Sequence, residues 1–423
     1  MTTIVQKLKL IIGDATLRNR VLFVLGALVI FRFFANIPIP AALGQNLTAL
    51  ISQNQALGFL NLLTGGGLSA VSLVMLGVGP YITASIIMQL LTMMSPKFKA
   101  MHSEEGELGR RKFTQYSRLL SVPLAITQGY GLLAYLSSQG ILPALTPLDY
   151  LINVSIVVGG SLFLMWIGEL ISEFGIGNGV SLIIFAGIIA QLPTTLGQLV
   201  FTFDVSQIPL YFGALVAILL IVLAVVYITE AERPVPVTYA KQSRGGRTTA
   251  GGTTYLPLRV NQAGVIPIIF ALSILIFPNV IANALASLGN ESVQVIATFI
   301  KDALANIWVN GILYFVLVFI FTYFYTAITF DPDAIATNLQ KNGAFVPGIR
   351  PGTHTSEYLA RILTRLTLVG AVFLGIIAVL PLIMQEVTNV QSLAVGGTGL
   401  LIVVSVILEL VKKVDAQVSM REY

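Results

Sequence analysis

Gly77-Val78-Gly79-Pro80-Tyr81-Ile82-Thr83-Ala84-Ser85-Ile86-Ile87 returns later in the chain as Gly264-Val265-Ile266-Pro267-Ile268-Ile269-Phe270-Ala271-Leu272-Ser273-Ile274, with six of eleven positions matched. Each copy opens an apolar run. The hydropathy pattern predicts ten spans, near 21–38, 73–94, 117–136, 151–172, 180–197, 208–229, 262–283, 307–328, 364–384 and 394–412, so these runs are the second and the seventh. They are equivalent members of two five-span halves. An odd number of spans per half turns the second half over, which makes the repeat an inverted one. Small apolar residues raise chance matches in membrane sequences, so the weight falls on charge.

The charge distribution supports the same ten spans independently. Of 24 Lys and Arg residues, all but Arg32 and Lys301 lie on one side of the reading. They form five blocks: Lys7 to Arg20, Lys97 to Arg118, Arg233 to Arg259, Lys341 to Arg365, and Lys412 to Arg421. Cytoplasmic loops carry the excess of Lys and Arg, so both termini are expected in the cytoplasm. A missed or invented span would scramble this order.

Composition excludes other classes. Hydrophobic residues make up 56% of the 423 and charged residues 10%, whereas a soluble domain carries roughly a quarter charged residues. The mean hydropathy is +0.87. The net charge of +5 comes from the loops and is first of all topogenic. With no cysteine, disulfides, thiolate catalysis and Cys-ligated metals are excluded together. Residues 1–20 read as a cytoplasmic amphipathic helix, without the apolar core and cleavage site of a signal peptide. Residues 21–197 are the expected N-terminal half, 198–412 the C-terminal half and 413–423 a cytoplasmic tail.

Two regions depart from simple spans. Leu57–Val71 is apolar, too short to cross, and interrupted by Gly65-Gly66-Gly67. It reads as an amphipathic helix resting at the interface, or as a segment folded back where protein surrounds it; on the residues alone the interface helix is the plainer reading. The long cytoplasmic loops near 230–261 and 329–363 are rich in Gly, Pro, Thr and basic residues. Val235, Val237 and Tyr239 alternate as strand residues do, and each loop is expected to form a projecting hairpin.

Recognisable chemistry is sparse. No phosphate loop or helical metal motif is present, and no cofactor is expected. His102 and His354 lie in different loops and are expected to be solvated. Thr127-Gln128-Gly129-Tyr130-Gly131 looks like a potassium filter, but it falls within an apolar span, where glycines serve close helix packing. Ionisable residues at membrane depth are few. Arg32, Glu169 and Glu409 lie toward span ends, which suggests snorkelling or structural pairing. No carboxylate is expected near the midplane, where an ion-coupled carrier would hold one.

The loops carry a resemblance that runs through nearly the whole chain. Its motifs are Ile37-Pro38-Ile39-Pro40, Pro80 to Ile87, Gly175-Ile176-Gly177-Asn178-Gly179, Pro236 to Lys241, Leu256 to Asn261, Gly264 to Pro267, Phe345 to Gly352 and Gly396-Gly397-Thr398. In this order they resemble the SecY family, the channel subunits of the bacterial Sec protein translocase. The resemblance implies an all-α polytopic membrane protein, with ten transmembrane helices in two inverted halves around an hourglass pore.

The resemblance also implies roles for particular residues. A pore ring would fall on Ile82, Ile86, Val180, Ile184, Val265, Ile269 and Ile402. Three of its pairs are spaced i, i+4, on one helix face, and converging branched side chains make a dewetted constriction. Leu57–Val71 would be the plug, with Leu60, Leu63, Gly65, Gly66, Gly67 and Leu68 its central residues. Spans two, three, seven and eight would form a lateral gate toward lipid. Arg244, Arg247 and Arg350 would dock a motor or ribosome. The implied partners are the small membrane subunits SecE and SecG, the motor ATPase SecA, the ribosome, signal sequences and precursor chains, and membrane lipid. The implied location is the bacterial plasma membrane, and the implied function is passive conduction of unfolded polypeptide. The rival reading is an inverted-repeat secondary transporter of small solutes.

Overall fold

A computed structural model describes residues 13–42, 47, 55–103, 105–143, 145–201, 208–239, 242–244, 247–249, 252–264, 266–275, 294–295, 298–299, 302–304, 306–388 and 391–419. Helices dominate. They are α1 (Ala15–Phe34), α2 (Gln55–Leu63), α3 (Gly79–Met94), α4 (Pro96–Ser103), α5 (Gly106–Ser138), α6 (Pro147–Phe174), α7 (Gly179–Phe201) and α8 (Ile208–Glu230). After strands β1 (Glu232–Tyr239), β2 (Gln242–Arg244), β3 (Arg247–Thr249) and β4 (Thr253–Arg259) comes α9 (Ile266–Leu275). Then follow α10 (Ile307–Thr329), α11 (Pro332–Lys341), β5 (Ala344–Phe345), α12 (Thr353–Thr388) and α13 (Gln391–Ser419). Among the described residues each of the ten expected spans overlaps a helix, the seventh over Ile266–Leu275 only. Four stretches, Gly106–Ser138, Pro147–Phe174, Ile307–Lys341 and Thr353–Met384, are long and apolar enough to cross a membrane.

Helix ends follow local chemistry. The Asp14 carboxylate accepts from the amides of Thr16 (2.8 Å) and Leu17 (3.3 Å) and starts α1. Thr146 and Asp149 form a reciprocal capping box before Pro147, satisfying donors the first helical turn would leave bare. The hydrogen bonds from Thr146 hold the Asp149 carboxyl below its ordinary range. Asp331 caps α11 as Asp14 caps α1, its carboxylate accepting from the amides of Asp333 and Ala334, ahead of Pro332.

Several helices begin well before their apolar runs. α1 runs from Ala15 past residue 21 without a break, so Arg18 and Arg20 ride on the first span's own helix. α5 and α12 likewise carry Arg110, Arg111 and Lys112, and Arg361 and Arg365, on their polar ends. Helical hydrogen bonding is local and continues past the hydropathy boundary wherever propensity permits. The second span behaves oppositely. Its apolar run starts near 73, but residues 64–78 are turns and α3 begins only at Gly79, with Pro80 in its first turn.

The chain divides into two compact units, Met1–Val216 with Ser273–Asn310 and Pro381–Tyr423, and Ala217–Leu272 with Gly311–Leu380. In the first, α3 packs on α5, α5 on α6, and α6 on α7. A core of Ile39, Leu57, Leu68, Val71, Met75, Leu133, Leu136 and Val157 joins the segment after α1 to α2, its following turns, α5 and α6. Leu57–Val71 is therefore folded into the protein. The interface-helix expectation is overturned, because Leu57, Leu63, Leu68 and Val71 are all buried.

In the second unit β1 pairs antiparallel with β4 from Glu232↔Arg259 to Thr238↔Thr253, and β5 adds to β1 at Thr238 and Tyr239. Val235 and Val237 are buried with Leu258, Ala344, Leu359 and Ile362, so their alternation reports a sheet face lying on helix α12. The first long loop is a hairpin, as expected. The second is not: Asp331 and Pro332 start α11 there, and only Ala344–Phe345 is extended. His102 also differs from expectation. It is half-buried and its ring lies 4.8 Å from that of Phe113, and burial together with Arg110 lowers its pKa.

Gly160 shows how tightly the first unit closes. A Cβ there would run into the carbonyl oxygen of Leu73 and lie 3.3 Å from Val74 Cγ1, whereas one at Gly159 meets nothing within 4 Å. Gly160→Ala should therefore cost about 1–3 kcal/mol and lower the melting temperature of the detergent-solubilised protein, with Gly159→Ala leaving it near wild type.

Candidate functional site

The segment from α2 to α3 is folded back into the first unit. Its carbonyl oxygens face a problem, because the end of a short helix and fifteen residues of turn lie inside the protein without a ladder of their own. Neighbouring side chains supply the donors. Gln191 Nε2 of α7 donates to the Asn61 carbonyl at 2.7 Å, and the Arg32 guanidinium of α1 donates to the Gly65 carbonyl. Within the segment, the Gly66 amide donates to the Asn61 carbonyl (2.8 Å) and the Ser69 amide to Asn61 Oδ1 (2.8 Å).

Backbone pairing completes the seat. The Ile39 amide donates to the Val71 carbonyl and the Leu73 amide to the Ile37 carbonyl, both at 2.9 Å, around a bridge between Pro38 and Ser72. Ser161 Oγ of α6 donates to the Gly77 carbonyl at 2.9 Å. Gly65 has φ +65°, and a Cβ there would lie 2.9 Å from both Gly187 Cα and the Phe31 ring. No other residue allows the turn to pass so close to α1 and α7.

Five of the seven expected ring residues lie in the first unit. α2 packs against α7 and α13, and α7 against α13; these two long helices carry Val180 and Ile184, and Ile402. Ile184 and Ile402 are buried. Val180 Cγ2 lies 3.2 Å from where a Gly168 Cβ would stand, so it rests against α6. Ile82 and Ile86 are buried on α3, at the exit of the seated segment. Ile269 is buried in the second unit, on α9, and Val265 lies outside the described residues. Among the expected plug residues, Leu63, Gly65, Gly67 and Leu68 are buried, and Leu60 and Gly66 are half-buried.

Arg244 and Arg247 face each other in register where β2 pairs with β3. Arg350 is exposed in the second loop, and its carbonyl accepts from Thr355 Oγ1 at 2.9 Å. Glu169 and Glu409, expected toward span ends, are paired. Arg118 Nε donates to Glu169 Oε1 at 2.7 Å, joining α5 to α6, and Lys413 pairs with Glu409 one turn away at 2.7 Å. No cluster suited to a metal ion occurs among the described residues. Gln191 and Asn61 were not singled out in the sequence. Their only signal was polarity inside apolar runs.

These features define a multi-pass helical membrane protein whose first unit buries a short folded-back segment. The family model SecY matches residues 72–411. The protein translocase subunit SecY of Mycobacterium bovis is 41% identical over 431 residues, covering 96% of each chain. Two solved structures share the fold. One is a SecY protein whose plug domain stabilises the closed state of the translocation channel and maintains a membrane seal (22% identity, TM-score 0.66, 94% of this chain and 91% of that one). The other is Sec61 in the canine ribosome–channel complex from the endoplasmic reticulum (20% identity, TM-score 0.62, the same coverage). The chain belongs to the SecY family.

Asn61 accepts from Gln191, Gly66 and Thr64 at its carbonyl and from the Ser69 amide at its side chain. Asn61→Ala leaves the Ser69 amide without its acceptor, and a lost hydrogen bond of this kind costs about 1–3 kcal/mol. Amide exchange at Ser69 should accelerate by roughly ten-fold or more, while exchange in the middle of α6 stays unchanged.

Proposed function

We propose that this chain is the central subunit of a protein-conducting channel, which moves unfolded, signal-bearing polypeptides across the bacterial plasma membrane and releases apolar segments sideways into lipid. The observation that carries the reading is the seated segment 57–71, packed on the two helices that bear Val180, Ile184 and Ile402. Family membership supports it. A stopper that closes on apolar branched residues suits a conduit that must pass a wide, variable chain yet hold back ions at rest. Ile82, Ile86, Val265 and Ile269 complete the proposed ring, and Leu60, Leu63, Gly65, Gly66, Gly67 and Leu68 are the proposed plug.

Paired charges speak against the solute carrier. Glu169 and Glu409 are engaged by Arg118 and Lys413, so neither is a free carboxylate waiting for a coupling ion. The energy for movement would come from outside the chain. SecA and the ribosome are the proposed drivers, docking on Arg244, Arg247 and Arg350, with SecE and SecG as small companion subunits. Arginine suits such a surface because its planar fork pairs bidentately with carboxylate or phosphate. The solved Sec61 complex with a ribosome is consistent with docking of this kind.

Reconstitution tests the whole reading. Proteoliposomes holding the chain with its small subunits should import a signal-bearing precursor when the motor and ATP are supplied, and failure to do so would sink it. Ile402→Asn places an amide in the constriction, wets it, raises resting ion leak several-fold and admits poorly apolar signals; unchanged leak and selectivity would remove Ile402 from the ring. Arg350→Glu should reduce motor- or ribosome-driven transport at least ten-fold, since it reverses a bidentate contact, with the protein still assembled in the membrane. Loss of assembly would instead make Arg350 a structural residue.

A further inference from the structure

Two of the donors that hold the folded-back segment come from outside it, and both close on the same end. Gln191 of α7 reaches the carbonyl of Asn61, in the last turn of α2, and Arg32 of α1 reaches the carbonyl of Gly65, just beyond that helix. The last carbonyls of a helix carry partial negative charge, so a cation there is favoured. Arg32 also lies deeper inside an expected span than any other Lys or Arg. A charge retained at that depth at a cost calls for a role.

The seat works against strain. Val71, at the far end of the segment, has φ +43° and is the sole non-glycine residue with positive φ among those described. A β-branched side chain is disfavoured in that region, and such a conformation persists only where its surroundings over-determine it. Here the surroundings are the Ile39 bond to the Val71 carbonyl at one end and the Arg32 and Gln191 bonds at the other. Gly65, whose carbonyl Arg32 holds, is pressed against Phe31 and Gly187. Release of one end would let the turn relax, so the held and released arrangements are distinct states.

We propose that Arg32 and Gln191 form a latch which holds segment 55–71 in its closed seat, and that opening the channel requires both carbonyls to be given up. The proposal deepens the plug reading above and rests on it. It assigns Arg32 and Gln191 as positioning residues; neither belongs to the proposed ring. The two bonds differ in kind. Gln191 supplies a neutral hydrogen bond, whereas Arg32 supplies a charge-assisted one, roughly twice as strong. Arg32 is therefore the stronger half of the latch.

Ion leak through the resting channel reads the latch directly. Purified complex in proteoliposomes, with neither motor nor precursor, should leak about ten-fold more when Arg32 becomes Gln, the scale of one charge-assisted hydrogen bond. Gln191→Leu should give a smaller rise, and Arg32→Lys, which keeps charge and a donor, should recover most of the seal. Both leaky variants should also export precursors with weakened signals. Deletion of residues 57–71 separates the two readings. If the deletion leaves the leak at wild-type level, the plug reading itself fails. If the deletion leaks but Arg32→Gln and Gln191→Leu do not, the plug stands and the latch is overturned. In the deleted background Arg32→Gln should add nothing; added leak there would mean a general loosening of the helices and would also overturn the assignment. Should Arg32→Gln fail to accumulate in membranes, Gln191→Leu, which removes an uncharged donor, decides the matter alone.

Discussion

Backbone that leaves the helix inside an apolar protein must find a partner for every N–H and C=O it exposes. Residues 64–78 impose that demand on this chain, and much of the first unit can be understood as the answer. Arg32, Gln191 and Ser161 each reach a carbonyl of the segment or its exit. The strand-like residues 37–39 exist to pair with Val71 and Leu73. Even the small residues fit this scheme, because Gly65, Gly160 and Gly187 are the places where turn and helix backbones nearly touch. Close backbone approach and satisfied carbonyls are achieved by the same contacts.

Most of the helical plan was legible in the sequence, because hydropathy and the sidedness of Lys and Arg are long-range averages that survive local error. The hairpin was legible too, since Val235 and Val237 alternate in burial as they do in sequence. What the sequence concealed was decided by single contacts. An apolar run such as Leu57–Val71 looks the same at an interface or within a core, and only Asn61 and its partner Gln191 distinguish the two. The second long loop read as a hairpin because Gly and Pro dominate it; Asp331 and Pro332, a helix start, outweighed them locally. His102 was placed in solvent on residue type, yet Phe113 one helix away covers it. Arg32 was correctly singled out as unusual, but its partner is a backbone carbonyl, which no sequence pattern announces.

Charge in this chain serves several physical purposes that its amount alone does not separate. Arg18, Arg110 and Arg365 are exposed on the polar ends of long helices. Arg118 is spent on Glu169, tying α5 to α6. Arg350 is exposed on a loop held by Thr355. These are different environments for one residue type, and the structure distinguishes them by what each side chain touches.

The small sheet of the second unit has a consequence for any protein that handles unfolded polypeptide. A strand edge is an open row of donors and acceptors onto which a stray chain can zip. Here the sheet order is β4-β1-β5, so β4 is one edge, and Pro257 sits in its middle opposite Pro234 of β1. Proline has no N–H to offer. The other edge, β5, is two residues long, too short to hold a guest. The described edges of this sheet therefore offer an extended chain little to zip onto.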